Sequence, residues 1–272
     1  MRSGRAIKAL IVTLVLATGA AGLALARPTG DGGDFHGATV PALFGDAQLA
    51  AVHDPLKRAG ARGHRVAKVW LDAHPVTSDK EFAAWAVQAV GDPPGGKAPR
   101  EQLAQLRAIS ARRDPAGVTA ATWLEAHGKK QPWKIFRKET KPFLPATTYA
   151  TTKQALNDAL DLGATLQAVA KTRYGRPSPY QADPSIHALN QTKFAGQARQ
   201  SYPSKHTVLA GAALAVLGPL QPHRTGEYDW MADEIAYSRL YAGGHYLSDL
   251  TAGAFLGTLI GDYERRKSGL DH

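Results

Sequence analysis

Apolar residues along this chain recur at the period of a helix and, over any comparable length, nowhere at the period of a strand. From Asp79, the positions Phe82, Trp85, Ala86 and Ala89 follow the 0, 3, 4, 7 spacing that lines one helical face, and Val90 extends it. The stretch Gly91-Asp92-Pro93-Pro94-Gly95-Gly96 then breaks the run. The same reading predicts helices over residues 99–111, with Leu103, Leu106 and Ile109 inward, and over 119–126 around Trp123 and Leu124. A long helix over 151–171 carries Leu156, Leu160, Ala164 and Leu166 among its apolar positions and is stopped by Pro177 and Pro179. Helices over 204–217, 228–241 and 245–265 complete an all-α pattern with no internal repeat. The aromatic residues read as core rather than as a cofactor platform.

Residues 131–145 interleave Trp133, Phe136 and Phe143 with Lys134, Arg137, Lys138 and Lys141. Such a segment is either a solvated face covering the core, the favoured reading, or a basic amphipathic helix making peripheral membrane contact. At the N-terminus, Arg2, Arg5 and Lys8 precede an uncharged, mostly apolar run over residues 9–25, and Ala24-Leu25-Ala26 fits a small-residue cleavage site. The expectation is an export signal over residues 1–26, removed near Ala26, with a retained membrane anchor as the alternative. Residues 27–40, rich in Gly and Asp, read as a loose lead-in to one domain over 27–272. The later apolar stretches, 208–220 and 250–260, are too short to cross about 30 Å of hydrocarbon, so the mature chain is expected to be soluble.

With no cysteine in 272 residues, thiolate chemistry and disulfides are excluded. The formal net charge of +10 favours anionic partners such as a phosphorylated small molecule or an anionic membrane surface. Nucleic acid is not expected, because the basic residues are dispersed and accompany no binding motif. Nothing in the pattern specifies an oligomer.

Three short motifs in the C-terminal third carry groups suited to phosphate: Arg176-Pro177, then Pro203-Ser204-Lys205-His206, then Ser238-Arg239 followed by Gly243-Gly244-His245 and Asp249. His245 and Asp249 are four apart and share a face if the segment is helical, so the carboxylate can hold one ring nitrogen and leave the other to act as a nucleophile. Gly243 and Gly244 permit a tight bend before it. The guanidinium forks of Arg176 and Arg239 match a tetrahedral anion. Ser204 stands at a predicted helix start, where its hydroxyl and the backbone amides after it favour negative charge, and His206 is placed to protonate a departing oxygen. The remaining histidines, among them His53, His64, His74, His127, His187 and His223, show no metal-ligand spacing and read as structural or surface residues.

Together and in this order, the motifs resemble the superfamily of bacterial class A acid phosphatases, type 2 phosphatidic acid phosphatases and vanadium haloperoxidases. Its pattern is Lys, six residues, Arg-Pro; then Pro-Ser-Gly-His; then Ser-Arg, five residues, His, three residues, Asp. The resemblance covers residues 169–250. It implies a helical bundle of the acid phosphatase and haloperoxidase type, and it implies that His245 forms a phosphohistidine, that Asp249 orients it, and that His206 serves as acid and then base. Arg176, Arg239, Ser204 and the backbone around Lys205 and Gly244 would hold the phosphate. No metal or cofactor is called for, and vanadate is expected to inhibit as a phosphate mimic.

The chain departs from the pattern twice. Val169 stands where the family has Lys, with Lys171 and Arg173 as the nearest replacements. At about 100° per residue, Arg173 stays near the face of position 176 if the helix runs unbroken, whereas Lys171 does not. Lys205 replaces the family's Gly: either its charge compensates for Val169 or its side chain points to solvent. The expected function is an exported acid phosphatase acting on phosphomonoesters. The alternatives are a lipid phosphate phosphatase at a membrane surface, a vanadium haloperoxidase and a non-catalytic phosphate-binding protein.

Overall fold

A computed structural model describes residues 39–189 and 200–271, and the fold is all-α. The helices are α1 (Asp46–Leu49), α2 (His53–Ala73), α3 (Asp79–Val90), α4 (Ala98–Ser110), α5 (Pro115–His127), α6 (Gln131–Glu139), α7 (Ala146–Tyr174), α8 (Pro179–Ala182), α9 (Lys205–Leu217), α10 (Thr225–Tyr241) and α11 (Leu247–Lys267). Among the described residues no strand forms beyond one isolated bridge between Pro177 and Gln200. The expected signal segment, and the lead-in up to residue 38, lie outside the described residues.

Local chemistry sets the boundaries. Ser78 caps α3 in a reciprocal box: its hydroxyl accepts the Glu81 N–H at 3.3 Å while the Glu81 carboxylate accepts the Ser78 N–H at 2.9 Å. Asp114 accepts the Gly117 N–H at 2.7 Å to start α5, with Pro115 in the first turn. The segment expected to run to 145 breaks after Glu139, and a short 3-10 turn, Lys141–Phe143, carries the chain to α7. Pro142 has no N–H with which to continue an α-helix. α6 buries Trp133 and Phe136 and exposes Lys134 and Lys138, as a solvated cover would, whereas Phe143 in the turn is 73% exposed.

α2 has no counterpart among the helices expected from the sequence. Its inward face reads Leu56, Gly63, Ala67 and Leu71, so the helical period is present. Two of these four are small and all stand among many charges, which hides the face from a search for large apolar side chains.

α9 is the hub. Nearly all of it is buried, and α11, α7 and α10 pack around it, with α2 and α3 against α11. A helix buried on all sides must be apolar on all sides, and the sequence of α9 between Val208 and Leu217 contains only Val, Leu, Ala and Gly. Its crossing with α11 is a backbone-to-backbone contact. A Cβ added at Gly257 would collide with the Val208 carbonyl and lie 2.7 Å from the Ala212 nitrogen, and one at Gly261 would lie 2.6 Å from Ala215 Cβ. Among the described residues, no helix is long and apolar enough to cross a membrane.

The crossing gives a stability prediction. Gly257→Ala must push two backbones apart and is expected to cost about 1–3 kcal/mol, the range of overpacking in a core. Chemical denaturation checks this, and a loss below about 0.5 kcal/mol, typical of a surface substitution, would contradict it.

Candidate active site

The three motifs meet where the N-terminal ends of α9 and α11 lie together. α7 ends at Gly175, whose left-handed φ of 56° turns the chain so that the buried Arg176 points back into the protein. One guanidinium nitrogen, Nη1, donates to Asp249 Oδ1 and to Ser248 Oγ, each at 2.7 Å. The guanidinium lies 3.7 Å from the centroid of the Tyr246 ring. Ser248 is held in turn by Gln102 of α4, whose Oε1 accepts the Ser248 N–H at 2.9 Å and its hydroxyl at 2.8 Å.

His245 does not lie on α11. The helix starts at Leu247, and Asp249 is its third residue, accepting the Tyr246 N–H on Oδ2 at 2.9 Å. His245 therefore stands in the turn before the helix, and its Nδ1 meets Asp249 Oδ2 at 3.4 Å across the capping turn rather than along a helical face. That separation is long for a hydrogen bond, as is common in ligand-free catalytic sites. The turn is made by Gly243, at φ 75°. Gly244 does not offer a free donor, because its N–H turns back to the Arg239 carbonyl at 3.3 Å. Arg113 braces the turn from the α4–α5 loop, donating to the carbonyls of Tyr241 and His187.

Ser204 is the N-cap of α9 and is fully buried. Its N–H donates to the Asp249 carbonyl at 3.0 Å, which ties the second motif to the third. Lys205 follows, half-buried, and then the buried His206. Arg239, buried in α10, donates from Nη2 to the Ala121 carbonyl at 3.0 Å and from Nε to Ser238 Oγ at 3.1 Å.

The two replacement candidates part company. Lys171 is half-buried and its charge acts on both His206 and His245. Arg173 is exposed, with its guanidinium over the Tyr174 ring at 5.7 Å, and is not part of the site. The reckoning that favoured Arg173 held only for an unbroken helix, and that condition is not met: Gly175 rotates Arg176 off the helical progression. Val169 faces outward at 50% exposure.

Residues outside the motifs also reach the site. Glu125 of α5 pairs with Arg239 Nη1, and the same oxygen lies 3.9 Å from His206 Nε2. Its other oxygen lies 3.4 Å from Lys129 Nζ. No motif announced Glu125, Lys129 or Gln102. The one available signal was that Glu125 is the only acidic residue in α5.

Burial drives the electrostatics. The pKa of His206 falls well below the ordinary histidine value, chiefly because the imidazolium would be desolvated, and the charges of Lys129, His245, Lys171 and Lys205 add to the effect. His245 is lowered by burial too, with Asp249 opposing the shift and Lys171 and Arg239 adding to it. Burial lowers Arg239 to about 9, which leaves it charged at neutral pH. Elsewhere, His53 and His64 each contact a carboxylate at 2.7 Å, Asp233 and Asp262 respectively, and read as structural.

Two buried imidazoles beside arginine and lysine side chains at the N-terminal ends of two helices form, in a helical protein, an arrangement that could hold an anion. Residues 155–263, which hold all three motifs, match the family model of the PAP2 superfamily. No curated protein matches the chain.

The lowered histidines yield a prediction that does not depend on turnover. In an NMR titration of the ligand-free protein, the imidazole signals of His206 and His245 should change below the ordinary value of about 6.5. Unfolded chains bind those protons more readily, so the stability the neutral rings contribute is present above about 6.5 and is lost as pH falls toward their folded values. Titration of both rings at or above 6.5 would contradict the burial argument.

Proposed function

We propose that the protein is an exported phosphatase that hydrolyses phosphomonoesters through a phosphohistidine on His245. The observation that carries this is a set of buried polar atoms with no hydrogen-bond partner among the described residues: Arg176 Nη2, Ser204 Oγ and His206 Nε2. Buried polar groups are nearly always satisfied, and three such orphans from two separated motifs point to a polar ligand. The superfamily match supports a phosphatase reading of that ligand.

The chemistry follows from the placement. With Nδ1 toward Asp249, Nε2 of His245 attacks phosphorus in line while the ester P–O bond breaks. Arg176, Arg239, Lys171 and the Ser204 hydroxyl neutralise and hold the equatorial oxygens. The phosphate dianion raises the pKa of His206, which gives its proton to the leaving alkoxide. It then takes a proton from the water that cleaves the phosphorus–nitrogen bond, returning His245 and releasing phosphate. Export rests on the N-terminal charge and hydropathy pattern.

A lipid phosphate is the second reading, favoured by one surface feature. Phe143 is 73% exposed beside exposed Lys138 and Lys141, a combination that suits an anionic bilayer surface.

Hydrolysis of p-nitrophenyl phosphate is expected from the wild type and not from His245→Ala; equal rates would defeat the proposal. In kcat/KM, which reports the phosphorylation half-reaction, His206→Ala should lose about 10²–10⁴-fold on an alkyl phosphate, whose leaving group needs a proton, and much less on p-nitrophenyl phosphate. Lys171→Ala and Lys205→Ala separate the two accounts of the missing family lysine. Each is expected to weaken vanadate inhibition by about tenfold if its charge serves the pocket, and an unchanged inhibition constant removes that residue from the phosphate cradle.

A further inference from the structure

Resting on the phosphatase reading above, the Glu125 contact has a consequence for which anions the site accepts. Of the Arg239 donors, Nε is committed to Ser238 and Nη2 to the Ala121 carbonyl. Nη1 is therefore the edge left for substrate, and Glu125 holds it. The same carboxylate oxygen lies 3.9 Å from His206 Nε2, the nitrogen that must meet the leaving oxygen. A carboxylate between these two groups stands where a phosphoryl oxygen would stand.

Glu125 also has somewhere to go. Its side chain is 32% exposed, and its second oxygen is already 3.4 Å from Lys129, four residues further on and just past the end of α5; the Lys129 side chain is 40% exposed. Rotation toward Lys129 exchanges one cation for another and moves the negative charge to the rim.

We propose that Glu125 is an intramolecular occupant of the oxyanion position, which a phosphoryl group displaces onto Lys129 on binding. An anion that only matches a carboxylate gains little by the exchange. A phosphoryl dianion gains more, because it brings a second charge and can also meet Ser204 Oγ, Arg176 Nη2 and His206 Nε2. Glu125 thus sets a threshold that favours phosphomonoesters over singly charged anions and weakens the binding of product phosphate. The released phosphate leaves as Glu125 returns to Arg239.

The test is calorimetric titration of inorganic phosphate and of dimethyl phosphate, a singly charged diester, into the wild type, Glu125→Gln and Glu125→Ala. Removing the competitor is expected to tighten phosphate binding by about tenfold or more in both variants and to bring dimethyl phosphate into the measurable range. If Glu125→Gln matches the wild type and Glu125→Ala binds phosphate more weakly, the carboxylate merely props Arg239 and the proposal is overturned. Unchanged or weaker binding in both variants overturns it as well. In either case, phosphate binding by the wild type leaves the His245 reading standing, whereas the absence of phosphate binding in all three proteins overturns both.

Discussion

The site depends on the Asp249 carboxylate being buried and fully shared. One oxygen takes the Arg176 guanidinium at 2.7 Å, and the other takes the Tyr246 N–H at 2.9 Å and lies 3.4 Å from His245. Its backbone carbonyl accepts the Ser204 N–H at 3.0 Å. Segments separated by dozens of residues are thereby fixed to one atom group. A buried carboxylate without such partners would be prohibitively costly, so the arrangement is close to all-or-nothing. Arg176 consequently does two jobs, with Nη1 neutralising Asp249 and Nη2 left for a ligand. Behind it, Gln102 fixes Ser248, so a helix outside the family match also steers the arginine.

That sharing requires α9 and α11 to begin side by side, which is a packing condition. The small-residue crossing of Gly253, Gly257 and Gly261 against α9 brings the backbones closer than side chains would permit. It places the positive ends of both helices at one spot, with Ser204 capping the first and Asp249 within the first turn of the second. The acid at the start of α11 satisfies that helix end internally, while the start of α9 keeps its orphan hydroxyl for the ligand. Two similar helix termini therefore end up with different tasks.

How much of this was legible in the sequence follows from range. Helices with large apolar residues at regular spacing announced themselves, and α3 runs over the expected residues, Asp79–Val90. α2 did not, because only two of its four buried positions, Leu56 and Leu71, are large, the others being Gly63 and Ala67. The motif residues around Asp249 were readable because each motif is local, although the contact between His245 and Asp249 runs across a cap and not along a helix. Arg173 was favoured over Lys171 only if the helix ran unbroken, and a single left-handed glycine removes that condition. Glu125, Lys129 and Gln102 were invisible, since their roles arise from tertiary contacts more than 70 residues away in sequence, such as Gln102 with Ser248 and Glu125 with Arg239.

The charge balance explains why the pocket carries a carboxylate at all. Arg239, Lys171, Lys205 and Lys129 converge on two imidazoles, while Arg176 is already matched by Asp249. Left uncompensated, that much positive charge would resist burial and drive both histidine pKa values down further, to the detriment of a proton donor. Glu125 offsets part of it from a position beside His206 and Arg239, the groups that gain most from an anion. The chain's overall positive charge draws anions in from a distance. At the mouth, a negative side chain then makes entry an exchange of one anion for another, so that capture depends on how well the newcomer fills the donors and not on attraction alone.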